Sequence, residues 1–187
     1  TIDIAGASST SVAGINNAGI AAGTFGGPGG PEGFVRSANG TITSFLVNGL
    51  PTTVAGINNL GQTVGILPGN LGFIRNSNGT VATFAIPSGG QALGINNGGA
   101  VVGYSQAGAI LGFIRSPSGI ITQFSDPAAP SNTVAQGIND LGQIVGNINS
   151  QTSAFIRASN GVFTSFQVPG AIVQTSATSV NNLGDVA

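Results

Sequence analysis

The sequence predicts an all-β protein made of tandem copies of one unit of about 40 residues, and three observations carry that reading. An Ile-Asn or Val-Asn pair recurs at Ile15-Asn16, Ile57-Asn58, Ile95-Asn96, Ile138-Asn139 and Val180-Asn181, in steps of 42, 38, 43 and 42 residues. A Phe-(Ile/Val)-Arg triplet recurs at Phe34-Val35-Arg36, Phe73-Ile74-Arg75, Phe113-Ile114-Arg115 and Phe155-Ile156-Arg157, in steps of 39, 40 and 42. A second Phe follows each first one by 11 residues, at Phe45, Phe84, Phe124 and Phe166. Eight of the ten Phe and all four Arg thus hold repeat positions, which chance does not arrange.

Each unit divides into four short strands. The first is the Gly-Phe-Ile-Arg segment, as at Gly72 to Arg75. A tight turn such as Ser77-Asn78-Gly79 leads into a second strand, Thr80 to Ile86, rich in β-branched and aromatic residues. A Pro breaker follows (Pro87, Pro127, Pro169), and a third strand runs into Gly94-Ile95-Asn96 or its equivalent. The chain returns through an Asn-Asn-x-Gly turn, as in Asn58-Asn59-Leu60-Gly61, whose Asn and Gly accept left-handed backbone. The fourth strand is Gln143-Ile144-Val145-Gly146 and its counterparts, and a loop of variable length closes the unit. No helical period persists. Four strands in 38 to 43 residues is the size of a propeller blade, so residues 1–187 are expected to form a single repeat domain, a small β-propeller. A β-solenoid of four-stranded repeats is the alternative. One blade cannot bury both faces alone, so the Phe pair, the Ile of Ile-Asn and the Val of Val-Gly are expected to form the core between blades.

The fifth unit is partial. Val180 to Ala187 matches Ile57 to Gly65, and a fifth Phe-Ile-Arg strand would begin near position 197. Thr1 to Gly6 aligns with Thr164 to Gly170, the strand after Phe-Ile-Arg. Four full blades and a fifth of three strands are therefore expected, 19 strands where five complete blades hold 20. Three readings fit: a sequence shortened relative to the natural protein, a three-stranded blade, or a gap filled by a strand from another chain.

Composition narrows the function. Charged residues are 5%, against roughly 25% in ordinary soluble domains. Four Arg, no Lys and five acids leave a net charge of −1, which cannot build a nucleic-acid-binding patch. Hydrophobic residues are 41%, which argues against solvated disorder. Yet no run of 18 apolar residues exists to span a bilayer as a helix, so no transmembrane segment is expected. The 32 Gly and 9 Pro fit many tight turns between short strands. Cys, Met, Trp and His are absent, which removes disulfides, thiolate metal sites and imidazole chemistry. The five acids, Asp3, Glu32, Asp126, Asp140 and Asp185, share no motif that would pair two carboxylates. With no Lys either, a general base or activated nucleophile has almost no source, so no enzyme and no cofactor are expected.

Four groups of residues are candidates for binding. Arg36, Arg75, Arg115 and Arg157 hold equivalent places, either as an anion-binding arc or, the favoured reading, as donors to backbone carbonyls. The Asn pairs at Asn16-Asn17, Asn58-Asn59, Asn96-Asn97 and Asn181-Asn182, with Asn139-Asp140, have too few carboxylates for Ca²⁺ and read as turns. Asn39-Gly40-Thr41 and Asn78-Gly79-Thr80 match the glycosylation pattern and also suit hairpin turns. The loops before Phe-Ile-Arg vary most: Thr24 to Glu32, Ile66 to Leu71, Tyr104 to Leu111 and Asn147 to Ser153. Binding commonly sits on variable loops of a rigid scaffold, so Phe25 and Tyr104 are candidate ligand-loop aromatics.

The segments Phe163-Thr164-Ser165-Phe166-Gln167-Val168-Pro169-Gly170-Ala171 and Gly137 to Gly146 resemble the bacterial extracellular HAF repeats, and the likeness covers nearly the whole chain. It departs at the name-giving tripeptide, where His-Ala-Phe is here Gly-Phe or Ala-Phe. The resemblance implies an extracellular or cell-surface setting and a propeller-like fold, and it supplies no catalytic residues. The expected function is a structural or interaction protein, self-assembling head to tail into a surface layer or filament through strand pairing between copies of itself. The alternative is a lectin-like, carbohydrate-binding propeller with glycans as partners.

Overall fold

The computed structural model describes residues 2–148, 153–170, 173 and 175–187. All regular structure among them is β, in sixteen strands that form four antiparallel sheets of four. The chain divides into two units, Thr1–Ile86 and Pro87–Ala187. The first holds β1 (Thr10–Ile15), β2 (Ala21–Gly27), β3 (Gly30–Arg36) and β4 (Ile42–Phe45) in one sheet. Its second sheet comprises β5 (Thr53–Ile57), β6 (Thr63–Leu67), β7 (Leu71–Arg75) and β8 (Val81–Ala85). The second unit holds β9 (Gly90–Ile95), β10 (Val101–Ala107), β11 (Ala109–Arg115) and β12 (Ile121–Phe124). Its second sheet comprises β13 (Thr133–Ile138), β14 (Ile144–Ile148), β15 (Ala154–Arg157) and β16 (Phe163–Phe166). Every sheet is an up-and-down meander, the strand order of a propeller blade.

The sheets begin at a different point of the repeat from the one the sequence suggests. Each opens on the strand that ends in the Ile of Ile-Asn and places Phe-Ile-Arg third. A period has no phase of its own; the turns set it. Tight hairpins join strands of one sheet, whereas the Pro-bearing segments after each second Phe lead to the next sheet. The outcome is four complete sheets, rather than four plus a three-stranded fifth. Residues 2–9 contain no strand. At the other end Val180 and Val186 pair in an isolated antiparallel bridge, and the Asn181 N–H donates to the Asp185 carbonyl at 3.0 Å. The hairpin that opens the first sheet is closed the same way, by the Asn16 N–H on the Ile20 carbonyl. Residues 178–187 thus share the turn geometry of the hairpin that opens each sheet.

Glycine holds the strands together by being absent as a side chain. Gly23, Gly65, Gly103 and Gly146 lie directly opposite Phe34, Phe73, Phe113 and Phe155 in the strand ladders. The first strand of each sheet bulges there by one residue. A Cβ would stand 2.1, 2.0, 2.0 and 1.9 Å from the carbonyl oxygens of Ser11, Thr53, Gln91 and Val134. The four Phe rings fill the space instead, and all are fully buried. The second Phe lies over the third strand: Cβ atoms at Gly33, Gly72 and Gly112 would come within 2.5, 2.3 and 2.5 Å of the rings of Phe45, Phe84 and Phe124.

Within each unit the sheets meet through one apolar seam. Ala22, Val47, Val54, Leu67 and Phe73 cluster in the first unit, flanked by Val35, Phe45 and Ile57. Val102, Ala135, Ile138, Ile144, Ile148 and Phe155 cluster in the second. The expected core is present in the first Phe of every copy and in Val64, Val102 and Val145. Ile15 is the exception at 69% exposed. Ile57 and Ile138 point at the sheet that precedes them in their own unit, and the same direction carries Ile15 away from β5–β8.

Gly146→Ala is expected to cost about 3 kcal/mol or more, because backbone blocks the added methyl and nothing flexible can yield. Gly29 has nothing within 4 Å and an ordinary φ, so Gly29→Ala is expected to stay within about 0.5 kcal/mol. Urea melts followed by circular dichroism compare the two.

Candidate functional site

Most residues that recur in the repeat are engaged by the fold itself. Asn139 is 3% exposed, and its Oδ1 accepts the N–H groups of Leu141 at 3.1 Å and Gln143 at 2.9 Å. Its Nδ2 donates to the carbonyl of Asn181, the same residue one repeat later, at 2.9 Å. Asn16 does the same onto Asn58, and Asn96 onto Asn139, both at 3.1 Å. A second rung runs beside the first: the N–H groups of Asn17, Asn97 and Asp140 donate to side-chain oxygens of Asn59, Asp140 and Asn182 at 2.9, 2.8 and 2.9 Å. The Asn pairs are thus turns, as expected, and also staples between sheets. The sequence signal for the second role was the strict recurrence of Asn at the turn's first position.

The arginines are held similarly. The Arg75 guanidinium lies 4.6 Å over the Phe45 ring, and that of Arg157 lies 4.8 Å over Phe124. In both cases the ring belongs to the preceding sheet of the same unit. Nη1 of Arg75 and of Arg115 donates to the carbonyl of the following residue at 3.3 and 3.2 Å. Arg36 folds over its own hairpin, where a Cβ at Gly40 would lie 3.4 Å from Nη2. Burial lowers the pKa of Arg75 and Arg157, which stay charged at neutral pH. The ring contacts were not read from the sequence, because Arg and ring come from different copies.

The acids are dispersed. Asp126 is buried at a turn and accepts the Ala128 N–H and the Ser165 hydroxyl. Asp140 belongs to the ladder. The side chain of Asn182, then the backbone N–H of Asn97, hold its carboxyl below the usual carboxylate range. No group of three potential metal ligands exists among the described residues. No described helix is long and apolar enough to cross a membrane.

What the fold leaves open is a cleft between the two sheets of each unit. In the first unit it measures about 510 Å³ and is lined by Ser9, Ser11, Thr24, Phe25 and Thr53 among others. In the second it measures about 370 Å³ and is lined by Gln91, Tyr104, Gln106 and Gln136, with Leu93, Ile110 and Val134. The two are the same place in the repeat. Aligning Gly14 with Gly94 and Gly23 with Gly103 matches Ser11 to Gln91, Thr24 to Tyr104 and Gly26 to Gln106. Phe25 and Tyr104, which the sequence singles out singly, thus stand in equivalent clefts. No charged side chain lines either one. Of the variable loop Asn147 to Ser153, positions 149–152 lie outside the described residues.

Four-stranded meander sheets, two to a unit with a cleft between them, make a propeller-like all-β repeat fold. No protein-family model and no curated protein matches the sequence. Solved structures do match in fold. A catalytically inactive histidine-to-alanine variant of virginiamycin B lyase from Staphylococcus aureus, solved with quinupristin, superposes with a TM-score of 0.66 at 14% identity, over 98% of this chain and 63% of that one. The selenomethionine form of the same lyase gives 0.62 at 14% identity, over 91% and 59%. A streptogramin B lyase gives 0.58 at 12% identity, over 94% and 59%. The chain spans about three fifths of the length of these neighbours, and at such identity the likeness is one of fold.

Asn139→Ala is expected to cost about 2–3 kcal/mol, since it removes a buried side chain that holds two part-buried backbone donors and a carbonyl of the next repeat. Asn39→Ala, in an exposed hairpin, is the control. Asp140 has a lowered folded pKa, so its stabilisation is present above the unfolded value of about 3.9 and is lost as the pH falls through the folded one. Asp140→Asn is therefore expected to lose less stability than the wild type between pH 5 and pH 2, about the range where carboxylates titrate, by urea melts at each pH.

Proposed function

We propose that this chain is a non-catalytic interaction module of an extracellular or cell-surface protein, of the HAF-repeat type. Its sheets are the blades of a propeller, and the hairpin at 178–187 begins a fifth. One observation carries the reading. The residues that recur are engaged in joints within and between sheets, whereas the residues that differ between copies line an uncharged cleft that recurs in each unit. A scaffold that repeats and a surface that varies is the design of a binding repeat protein. Low charge and abundant Ser, Thr, Asn and Gly support the extracellular setting.

The neighbours' lyase activity is not carried over. Their inactive variant differs by a histidine replaced with alanine, and this chain contains no histidine. Incubation of the purified chain with quinupristin is expected to leave it intact by mass spectrometry; turnover would overturn the non-catalytic reading.

Association with further copies of the chain, head to tail through strand pairing, belongs to the same proposal. With a net charge of −1, little repulsion separates one copy from the next. Light scattering over a dilution series is expected to show mass rising with concentration. A monomer that persists at high concentration removes self-assembly from the proposal.

A further inference from the structure

We infer that the cleft at Tyr104 is a binding site for a neutral saccharide; the inference rests on the interaction-module reading and names the ligand class for one of its clefts. Tyr104 replaces a residue that serves as a tie in other copies of the repeat. In the first unit the equivalent residue is Thr24, whose Oγ1 accepts the N–H of Val54 in the next sheet at 2.8 Å. In the last sheet the equivalent is Asn147, whose Oδ1 accepts the Ala177 N–H at 2.9 Å. In both copies this position ties one repeat to the next, whereas in the second sheet the equivalent residue is Ile66, which has no polar group to do so. Among the described residues, the Tyr104 phenol makes no such bond. It lines the cleft instead, together with the side-chain amides of Gln91, Gln106 and Gln136, none of which has a protein partner there. A position that gives up that joint chemistry and presents a ring to a polar cleft marks a site rather than a joint.

The lining selects the ligand. A primary amide presents both donors and an acceptor, as a sugar hydroxyl needs, and three of them, on Gln91, Gln106 and Gln136, line this cleft. A phenol ring with Leu93, Ile110 and Val134 gives the apolar surface on which the C–H face of a sugar ring rests. No Arg, Asp or Glu lines the cleft, so nothing there would pair with a phosphate, a uronic acid or an amino sugar cation. About 370 Å³ lies at the small end of ligand pockets, with room for about one or two sugar rings. The equivalent cleft in the first unit carries short hydroxyls and Gly26 in place of the long amides, and so lacks the reach to grip a ring from several sides.

The test uses a property of the sequence. Tyr104 is the only Tyr and Trp is absent, so tyrosine emission reports on this cleft alone. The intact chain is titrated with neutral hexoses, N-acetylhexosamines and their disaccharides, and separately with inorganic phosphate and a neutral tetrapeptide. A saturable change with at least one sugar, at millimolar affinity, is expected, with none for phosphate or peptide. Gln91→Ala and Gln136→Ala are each expected to weaken binding about tenfold, the loss of one or two hydrogen bonds, with unchanged melting. Ser11→Ala, in the equivalent cleft, is expected to leave it unchanged. No saturable change with any sugar overturns the inference, as does sugar binding undiminished in the Gln91→Ala, Gln136→Ala double variant, and as does a response to peptide or phosphate in place of sugar. Quinupristin turnover would sink the non-catalytic module, whatever the sugars do. If sugars fail while the chain self-associates, only the saccharide assignment falls.

Discussion

The fold depends on a hydrogen-bond ladder that passes from one repeat to the next through asparagine side chains. Apolar packing between two sheets is strong but indifferent to small slips, since one Val or Ile contact replaces another. The ladder is not indifferent. Asn139 accepts two backbone N–H groups of its own turn and donates both to the Gln143 side chain and to one carbonyl of the next turn, and a primary amide provides that acceptor and both donors on one short stem. Ser would lack the second donor and Asp would lack any. A slip of one residue between sheets would leave buried donors without partners, at about 1–3 kcal/mol each, and that penalty fixes how the sheets of one unit meet. In a chain with 5% charged residues, ion pairs are not available to do so.

The glycines follow from the same closeness. For the Asn139 amide to reach Asn181, the backbone of the later repeat must cross near Gly137, where a Cβ would stand 3.0 Å from Ser179 Cα. Gly94 stands in the same relation to Gln136 and Gly137. The Gly-Ile-Asn motif is thus a physical unit. Its Gly admits the neighbouring backbone, its Ile at positions 57 and 138 fills the seam behind, and its Asn locks the register. The Phe-x-Arg motif completes the joint from the other side, burying its ring against the bulge and laying Arg75 or Arg157 on a ring of the preceding sheet.

The repeat, the strands and the turns were legible in the sequence because each leaves a periodic mark. The marks come from local demands: β-branched runs for strands, Asn and Gly for left-handed turns, Phe at a fixed spacing for a ring facing a glycine. The start of each sheet was not legible, because a periodic pattern read alone looks the same from any starting point. Only the difference between a tight hairpin and a Pro-bearing crossing breaks the tie. The contact of Arg75 with Phe45 was hidden for a related reason. Each residue was visible as a repeat position, but the partner lies one copy back, about 30 residues away in sequence. Phe25 and Tyr104 looked like unrelated single aromatics until the sheets placed Thr24, the neighbour of Phe25, in register with Tyr104.

That last pairing shows how such a protein can acquire a site without losing its fold. The joint between two sheets is over-determined: the ladder, the glycine crossings, the Phe pair and the apolar seam all specify one arrangement. A single tie, such as the one Thr24 makes to Val54, can therefore be dropped at small cost. At Tyr104 the tie is replaced by a ring, and three glutamines of β9, β10 and β13 line the cleft beside it. Because the rest of the joint holds those strands, the amides do not need to bond one another, and their side chains line the cleft. A loosely packed scaffold would let the same side chains collapse onto each other. The rigidity supplied by repetition keeps the polar groups apart and ready for a ligand, and it links the buried asparagines to whatever the clefts recognise.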